Sequence, residues 1–227
     1  MQPAIKSKTL MDVPLGRAMV EKGIITQTEL DEALSIQRFR KNEYLGEILH
    51  SMGVSQEKIN KTLDCLNKRK RIGDILIDLG LITPENLERA LKEQEKIQSV
   101  LSIRKPLGIM LFLMELISYE NYMRALSKHF VLPIVSLEHR RISPSLQDVL
   151  GKKYTREHQV LVLENNGKTI KIALGEPTSS LMQEIRKSIP PHQEITFYLA
   201  DPLEIESAYK KMFDPLLKKL IELKRQS

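Results

Sequence analysis

Apolar and polar positions in residues 14–129 follow a helical spacing that restarts four times. Leu15-Gly16, Leu45-Gly46, Ile72-Gly73 and Leu107-Gly108 open the four segments. Behind each opening, apolar side chains such as Met19-Val20 or Ile75-Leu76 recur at helical spacing. Seven residues past the first glycine stands a second one, Gly23, Gly53 or Gly80; in the fourth segment that place is Glu115. Next come Ile24-Ile25-Thr26, Val54-Ser55, Leu81-Ile82-Thr83 and Leu116-Ile117-Ser118. Leu30 and Leu34, Ile59 and Leu63, Leu87 and Leu91, Tyr122 and Leu126 then fall at matching places. A unit of this length that repeats is one supersecondary piece.

The piece reads as a helical hairpin. A short helix starts near the Leu-Gly and ends at the second glycine, where a residue without Cβ takes the left-handed conformation at no steric cost. Thr26, Ser55, Thr83 and Ser118 are predicted N-caps of a longer helix. Thr26 and Glu29 have capping-box spacing, and Pro84 sits at a first helical position. The longer helix is expected to bury Leu30, Ala33 and Leu34, or Leu87, Ala90 and Leu91. Cys65, beside Leu63 and Leu66, is expected on the apolar stripe of the second unit.

After His129 the period changes. Val131–Leu137 is a short apolar stretch interrupted by Pro133. Val160–Leu163 is β-branched and apolar, Asn165-Asn166-Gly167 is a hairpin turn signal, and Thr169–Leu174 returns as an alternating strand. Leu181–Ser188 reads as a helix stopped by Pro190-Pro191, and Ile195–Leu199 as a third strand. Asp201-Pro202 opens a last helix that reaches Phe213 and resumes past Pro215 to Lys224. The predicted class is α plus α/β. Residues 1–129 form an all-α domain with two copies of a paired hairpin unit, 14–67 and 71–129; residues 130–213 form a small α/β domain, and 214–227 a helical tail.

Composition narrows the partners. The net charge of +6 divides evenly, with 20 Lys and Arg against 17 Asp and Glu in residues 1–129 and 15 against 12 in the rest. A dedicated nucleic-acid domain concentrates its charge. The basic run Lys68-Arg69-Lys70-Arg71 is the one hint of such binding, and aromatic residues are only 5%, so stacking platforms are scarce. No apolar run reaches the roughly 18 residues of a membrane span. The N-terminus lacks the apolar core of a secretory signal, and a lone cysteine fits a reducing compartment, so the chain is expected in the cytoplasm. The five histidines are scattered without metal-site spacing, and no catalytic constellation stands out, so no enzyme activity and no cofactor are expected. Gly167-Lys168-Thr169 has Val162 where a phosphate loop needs its first glycine, and it follows a turn signal.

The Leu-Gly…Gly-Ile-Ile-Thr…Leu…Leu…Gln units resemble the N-terminal domains of type II secretion and type IV pilus assembly ATPases, the MshEN or secretion-protein-E N-terminal domains. Leu132-Pro133-Ile134-Val135-Ser136-Leu137 and the stretch Ala173–Thr178 continue the likeness. The resemblance implies a non-catalytic interaction or regulatory protein without the motor domain. Its implied partner is a platform protein or an ATPase of the secretion or pilus machinery, reached on the cytoplasmic side and peripheral to the inner membrane. Some members of that family bind cyclic di-GMP through a motif that opens Arg-Leu-Gly and closes on Gln. The third unit fits this best, with Arg71, Ile72, Gly73, Gly80 and Gln94 as the implied ligand residues. Arginine offers a planar fork to phosphate, and glutamine can reach a base edge. The same residues also suit a purely structural repeat. The other units hold Pro14, Tyr44 and Pro106 in the arginine place. An amphipathic stretch, with Met212, Phe213, Leu216, Leu217 and Leu220 on its apolar side and Lys210, Lys211, Lys218 and Lys219 beside them, is the candidate partner surface; up to Phe213 it suits packing on its own sheet equally well.

Overall fold

The computed structural model describes residues 13–101 and 106–213. The chain is rich in helix, has a small three-stranded mixed sheet, and divides into two units, Met1–Val131 and Leu132–Ser227.

In the first unit short and long helices alternate: α1 (Leu15–Glu21), α2 (Gln27–Phe39), α3 (Leu45–Ser51), α4 (Gln56–Cys65), α5 (Ile72–Asp78), α6 (Pro84–Leu101), α7 (Leu107–Leu113) and α8 (Tyr119–Phe130). Each short helix ends in the same hydrogen-bonded turn. The N–H of Gly23 donates to Val20 O and that of Ile24 to Met19 O, both at 2.9 Å. Gly53 and Val54, Gly80 and Leu81, and Glu115 and Leu116 repeat these two bonds. This is the Schellman arrangement, which needs a positive φ at its first residue. Gly23, Gly53 and Gly80 supply it at +64°, +96° and +66°, and Glu115 takes +56° in the same place.

The first glycine of each segment has a different reason. A Cβ on Gly16 would lie 2.3 Å from Leu30 Cδ1, one on Gly73 2.8 Å from Leu87 Cδ1, and one on Gly108 2.0 Å from Tyr122 Cε2. On Gly46 it would meet Ile59 Cγ2 at 3.2 Å. The short helix therefore lies against the side chain that follows its glycine by fourteen residues, or thirteen in the second segment, and this contact fixes the spacing seen in the sequence.

At the helix starts, Thr26 Oγ1 accepts from Glu29 N while Glu29 Oε2 accepts from Thr26 N, a full capping box. Thr83 and Ser118 cap α6 and α8 with their hydroxyls. Ser55 precedes α4 but makes no side-chain cap bond. The buried stripes are narrower than their sequence suggests. Leu30, Ala33 and Ala90 are buried, whereas Leu34 and Leu91 are each 40% exposed at the edge of their helices. Cys65 is exposed, not in the core, because α4 ends there and the turn at Asn67 (φ +52°) leads the chain away.

The helix contacts fall into two groups that share part of their pattern. In the first, α1 touches α2 and α4, and α3 touches α2 and α4; in the second, α5 touches α7 and α8, and α7 touches α6 and α8. Polar bonds join the groups. Tyr44 Oη donates to Asp78 Oδ2 at 2.8 Å, Lys70 pairs with the same oxygen, and Lys128 Nζ reaches Glu47 Oε2 at 2.8 Å and Asn42 O at 2.6 Å.

The second unit is built on β1 (Val160–Asn165), β2 (Thr169–Leu174) and β3 (Glu194–Leu199), in that order across the sheet. β1 and β2 are an antiparallel hairpin with an irregularity between Val162 and Glu164; β2 and β3 are parallel, joined through α10 (Ser179–Ser188). Beyond β3, Val135 N donates to Leu199 O and Leu199 N to Pro133 O, so the Leu-Pro segment lengthens the sheet edge. Asp201 Oδ1 caps α11 (Pro202–Phe213), whose Ile205, Tyr209 and Met212 join Leu161, Leu163 and Ala173 in one core.

A 3₁₀ turn over Pro144–Val149 and the short helix α9 (Lys152–Glu157) were not expected from the sequence. They place Gln147, fully buried, against the outer edge of β1. Its amide donates to Val162 O at 2.9 Å and accepts from Val162 N at 3.0 Å, as a neighbouring strand would. Tyr209 Oη donates to Val160 O at 3.0 Å. Side chains thus satisfy an edge that would otherwise offer itself to another strand.

Candidate functional site

Arg71 is the N-cap residue of α5 and is exposed. Its neighbours in the basic run are engaged. Arg69 binds Asp64 Oδ1 at 2.8 Å and His129 O at 2.6 Å, and its guanidinium lies 5.6 Å from the Phe130 ring centroid. Lys70 pairs with Asp78 and lies over the Tyr44 ring. Arg71 makes no ion pair or side-chain hydrogen bond among the described residues. The run thus supplies two uncommitted cations, Lys68 and Arg71, rather than four, which weakens it as a nucleic-acid footprint.

Gly73 is buried against Leu87 of α6, and Gln94, two turns further along the same helical face, is 6% exposed. Gly80 is exposed in its positive-φ turn, with nothing within 4 Å of an added Cβ. Arg71 and Gly80 are therefore accessible at the two ends of α5, while Gly73 and Gln94 belong to the packing between helices.

The matching glutamine place elsewhere shows what such a side chain does. Gln37, at the end of α2, donates to Glu43 O, just before Tyr44. His129, at the end of α8, bonds through Nδ1 to Lys70 O at 2.7 Å, just before Arg71. Each ties the end of a long helix to the carbonyl that leads into a short one. Burial holds the His129 pKa below the usual histidine value; the nearby Arg69 charge acts the same way, and the bond to Lys70 opposes them.

Met212 and Phe213 follow the sheet-packing alternative to different extents. Met212 is 6% exposed inside the sheet core, so it holds α11 in place and offers no surface to a partner. Phe213 is 37% exposed, stacks on Tyr209 at 5.7 Å and carries Lys152 over its ring. It borders an open cavity of about 690 Å³ lined also by Lys153, Arg156, Glu157 and Lys210. Those cations are shared with carboxylates: Lys153 with Glu157, and Arg156 and Lys210 both with Glu206. Leu216, Leu217 and Leu220 lie outside the described residues.

Gly167-Lys168-Thr169 lies in the β1–β2 hairpin, with Asn166 Oδ1 accepting from the N–H groups of Lys168 and Thr169. The tripeptide leads into a strand, where a phosphate loop would lead into a helix. Among the described residues no group of His, Cys, Asp and Glu is placed to hold a metal ion, and no helix is long and apolar enough to cross a membrane.

The α/β unit, with its Leu-Pro edge segment, hairpin and closing helix, is the part that a known domain family matches. Residues 130–218 match the MshEN domain. The MshEN match begins where the helical unit ends and spans the sheet unit through α11. The solved structure of MshE with cdg shares the fold at a TM-score of 0.56 and 23% identity, over 64% of this chain and all of that one. The N-terminal domain of XpsE aligns at a TM-score of 0.46 and 13% identity, over 63% of this chain and 94% of that one. No curated protein matches the chain. The resemblance to secretion-ATPase N-terminal domains thus holds. Arg71, Ile72, Gly73, Gly80 and Gln94 all precede the MshEN match, so it bears on the sheet unit and not on those residues.

Proposed function

We propose that this chain is a non-catalytic interaction and regulatory protein of type II secretion or type IV pilus machinery. It docks on a platform protein or an assembly ATPase at the cytoplasmic side, peripheral to the inner membrane. The observation that carries this reading is the MshEN match, which falls on one folded α/β unit. In the same reading the helical unit is a duplication of a paired hairpin, residues 14–67 and 71–129, and serves as scaffold. The experiment is binding of the full chain to the purified cytosolic region of a platform protein and, separately, to an assembly ATPase from the same cell. Binding near micromolar, about −8 kcal/mol, is expected for one of them. Absence of binding to both up to about a millimolar overturns the reading.

A second reading is favoured by the uncommitted guanidinium of Arg71. In it, the third hairpin senses cyclic di-GMP, the dinucleotide that "cdg" abbreviates, with Arg71 and the backbone around Ile72, Gly73 and Gly80 at the phosphates and Gln94 toward a base. The buried contact of Gly73 with Leu87 equally suits a structural repeat. Calorimetric titration with cyclic di-GMP, with ATP and GTP as controls, separates the two. Low-micromolar binding lost in Arg71→Ala supports the sensor, and equal binding by that variant removes the assignment.

A further inference from the structure

The four short helices serve as controls for one another. One and five residues past the opening glycine stand Arg17 and Glu21 in α1, Glu47 and Ser51 in α3, Asp74 and Asp78 in α5, but Ile109 and Leu113 in α7. Charged or polar side chains thus hold these places on three helices, and apolar ones hold them on the fourth. Leu113 is 56% exposed, Phe112 40%, and Ile109 half-buried. Tyr119 extends the patch, its ring 5.9 Å from that of Phe112 in an edge-to-face arrangement.

The matching face of the first helical group is already an interface. Glu47, the counterpart of Ile109, takes Lys128 from the end of α8, and a Cβ on Gly46 would approach Val131 Cγ2 at 3.6 Å. On α7 the same face has lost its charge. Its borders are acidic: Glu115 follows the helix and Glu120 follows Tyr119, both exposed and neither in an ion pair among the described residues. An apolar strip beside two carboxylates that form no ion pair among the described residues fits an apolar helix face carrying Lys or Arg, and the carboxylates repel an anionic bilayer.

We propose that the α7 face, Ile109, Phe112 and Leu113 with Tyr119, is a docking site for an amphipathic helix with basic flanks on a partner protein. The inference rests on the docking reading above and names its surface. A contiguous patch of exposed apolar side chains marks a protein contact surface, and amphipathic helices meet such patches with residues three and four apart.

The test uses the full chain and a synthetic amphipathic helix of about five turns, with leucine on one face and lysine along its flanks, followed by fluorescence anisotropy. A second peptide has glutamate in place of lysine, and vesicles with anionic lipid form a third arm. The lysine peptide is expected to bind the wild type at least about tenfold tighter than it binds Leu113→Asp, whose exposed position leaves folding intact by circular dichroism. Glu115→Lys with Glu120→Lys is expected to invert the preference between the two peptides. Equal binding by Leu113→Asp, no preference between the peptides, or stronger binding to the vesicles each overturns the proposal. Undiminished binding of Leu113→Asp to the platform domain refutes this surface and leaves the docking function standing.

Discussion

The two units solve the same problem of burying an apolar face by different means. The helical unit repeats one small device: a glycine laid against the side chain about fourteen residues on, a Schellman turn, and polar bonds between groups. The sheet unit packs α11 on strands that are buried along most of their length and satisfies its β1 edge with Gln147 and Tyr209. The difference teaches where each unit is vulnerable. Damage to one hairpin of the first is local, whereas loss of Gln147 from the second leaves the outer edge of β1 unsatisfied.

The largest effect is expected from Gln147→Leu. It strands both the N–H and the C=O of Val162 away from water, at about 1–3 kcal/mol for each group. Denaturant unfolding of the variant measures the loss; a cost under about 1 kcal/mol would mean that the edge is satisfied some other way. Next comes Gly108→Ala, whose Cβ would overlap the Tyr122 ring, at about 2–3 kcal/mol for over-packing. Gly46→Ala, with 3.2 Å to Ile59 Cγ2, is expected within about 0.5 kcal/mol of wild type, because the helix propensity gained offsets the squeeze. Equal costs at the two glycines would undo the account of the fourteen-residue spacing. Glu115→Gly is expected to stabilise the helical unit by about 1 kcal/mol, by relieving a side chain held at φ +56°.

Two further effects are set by pH and separate the units most cleanly. Burial pushes the Tyr209 hydroxyl up to about 12, above its usual 10. The folded state keeps that proton longer than the unfolded chain, so the contribution is complete below pH 10 and is lost between pH 10 and about 12. His129 is shifted the other way. Its folded state resists protonation, so its contribution is present above pH 6.5 and falls as pH drops below that value. Unfolding free energies against pH should lose the alkaline slope in Tyr209→Phe and the acid slope in His129→Gln. Unchanged profiles in both variants would contradict the burial argument.

The alternation of short and long helices was readable because glycine pairs, cap residues and helical spacing are local signals, and the contact of Gly16 with Leu30 gives the spacing its cause. The β1–β2 turn was readable for the same reason, since Asn166 and Gly167 dictate the backbone directly. Gln147 was not: a buried amide that imitates a strand is an ordinary polar letter in sequence, and the 3₁₀ turn and α9 around it lack apolar periodicity. The exposure of Leu34, Leu91 and Cys65 escaped because spacing gives the face of a helix but not its width. Of the candidate ligand residues, sequence reasoning put Arg71 and Gly73 in one motif, but only coordinates show that Arg71 is uncommitted while Gly73 is filled against Leu87. The outward face of α7 could have been found from sequence by aligning Ile109 and Leu113 with the charged places of the other three units.

The most direct measurement is the affinity of the full chain for the purified cytosolic region of the platform protein, with and without saturating cyclic di-GMP. If the proposed docking function is right, the chain is expected to bind near micromolar, whatever the effect of the nucleotide. No binding in either condition to the platform region, or to the assembly ATPase, would contradict the account.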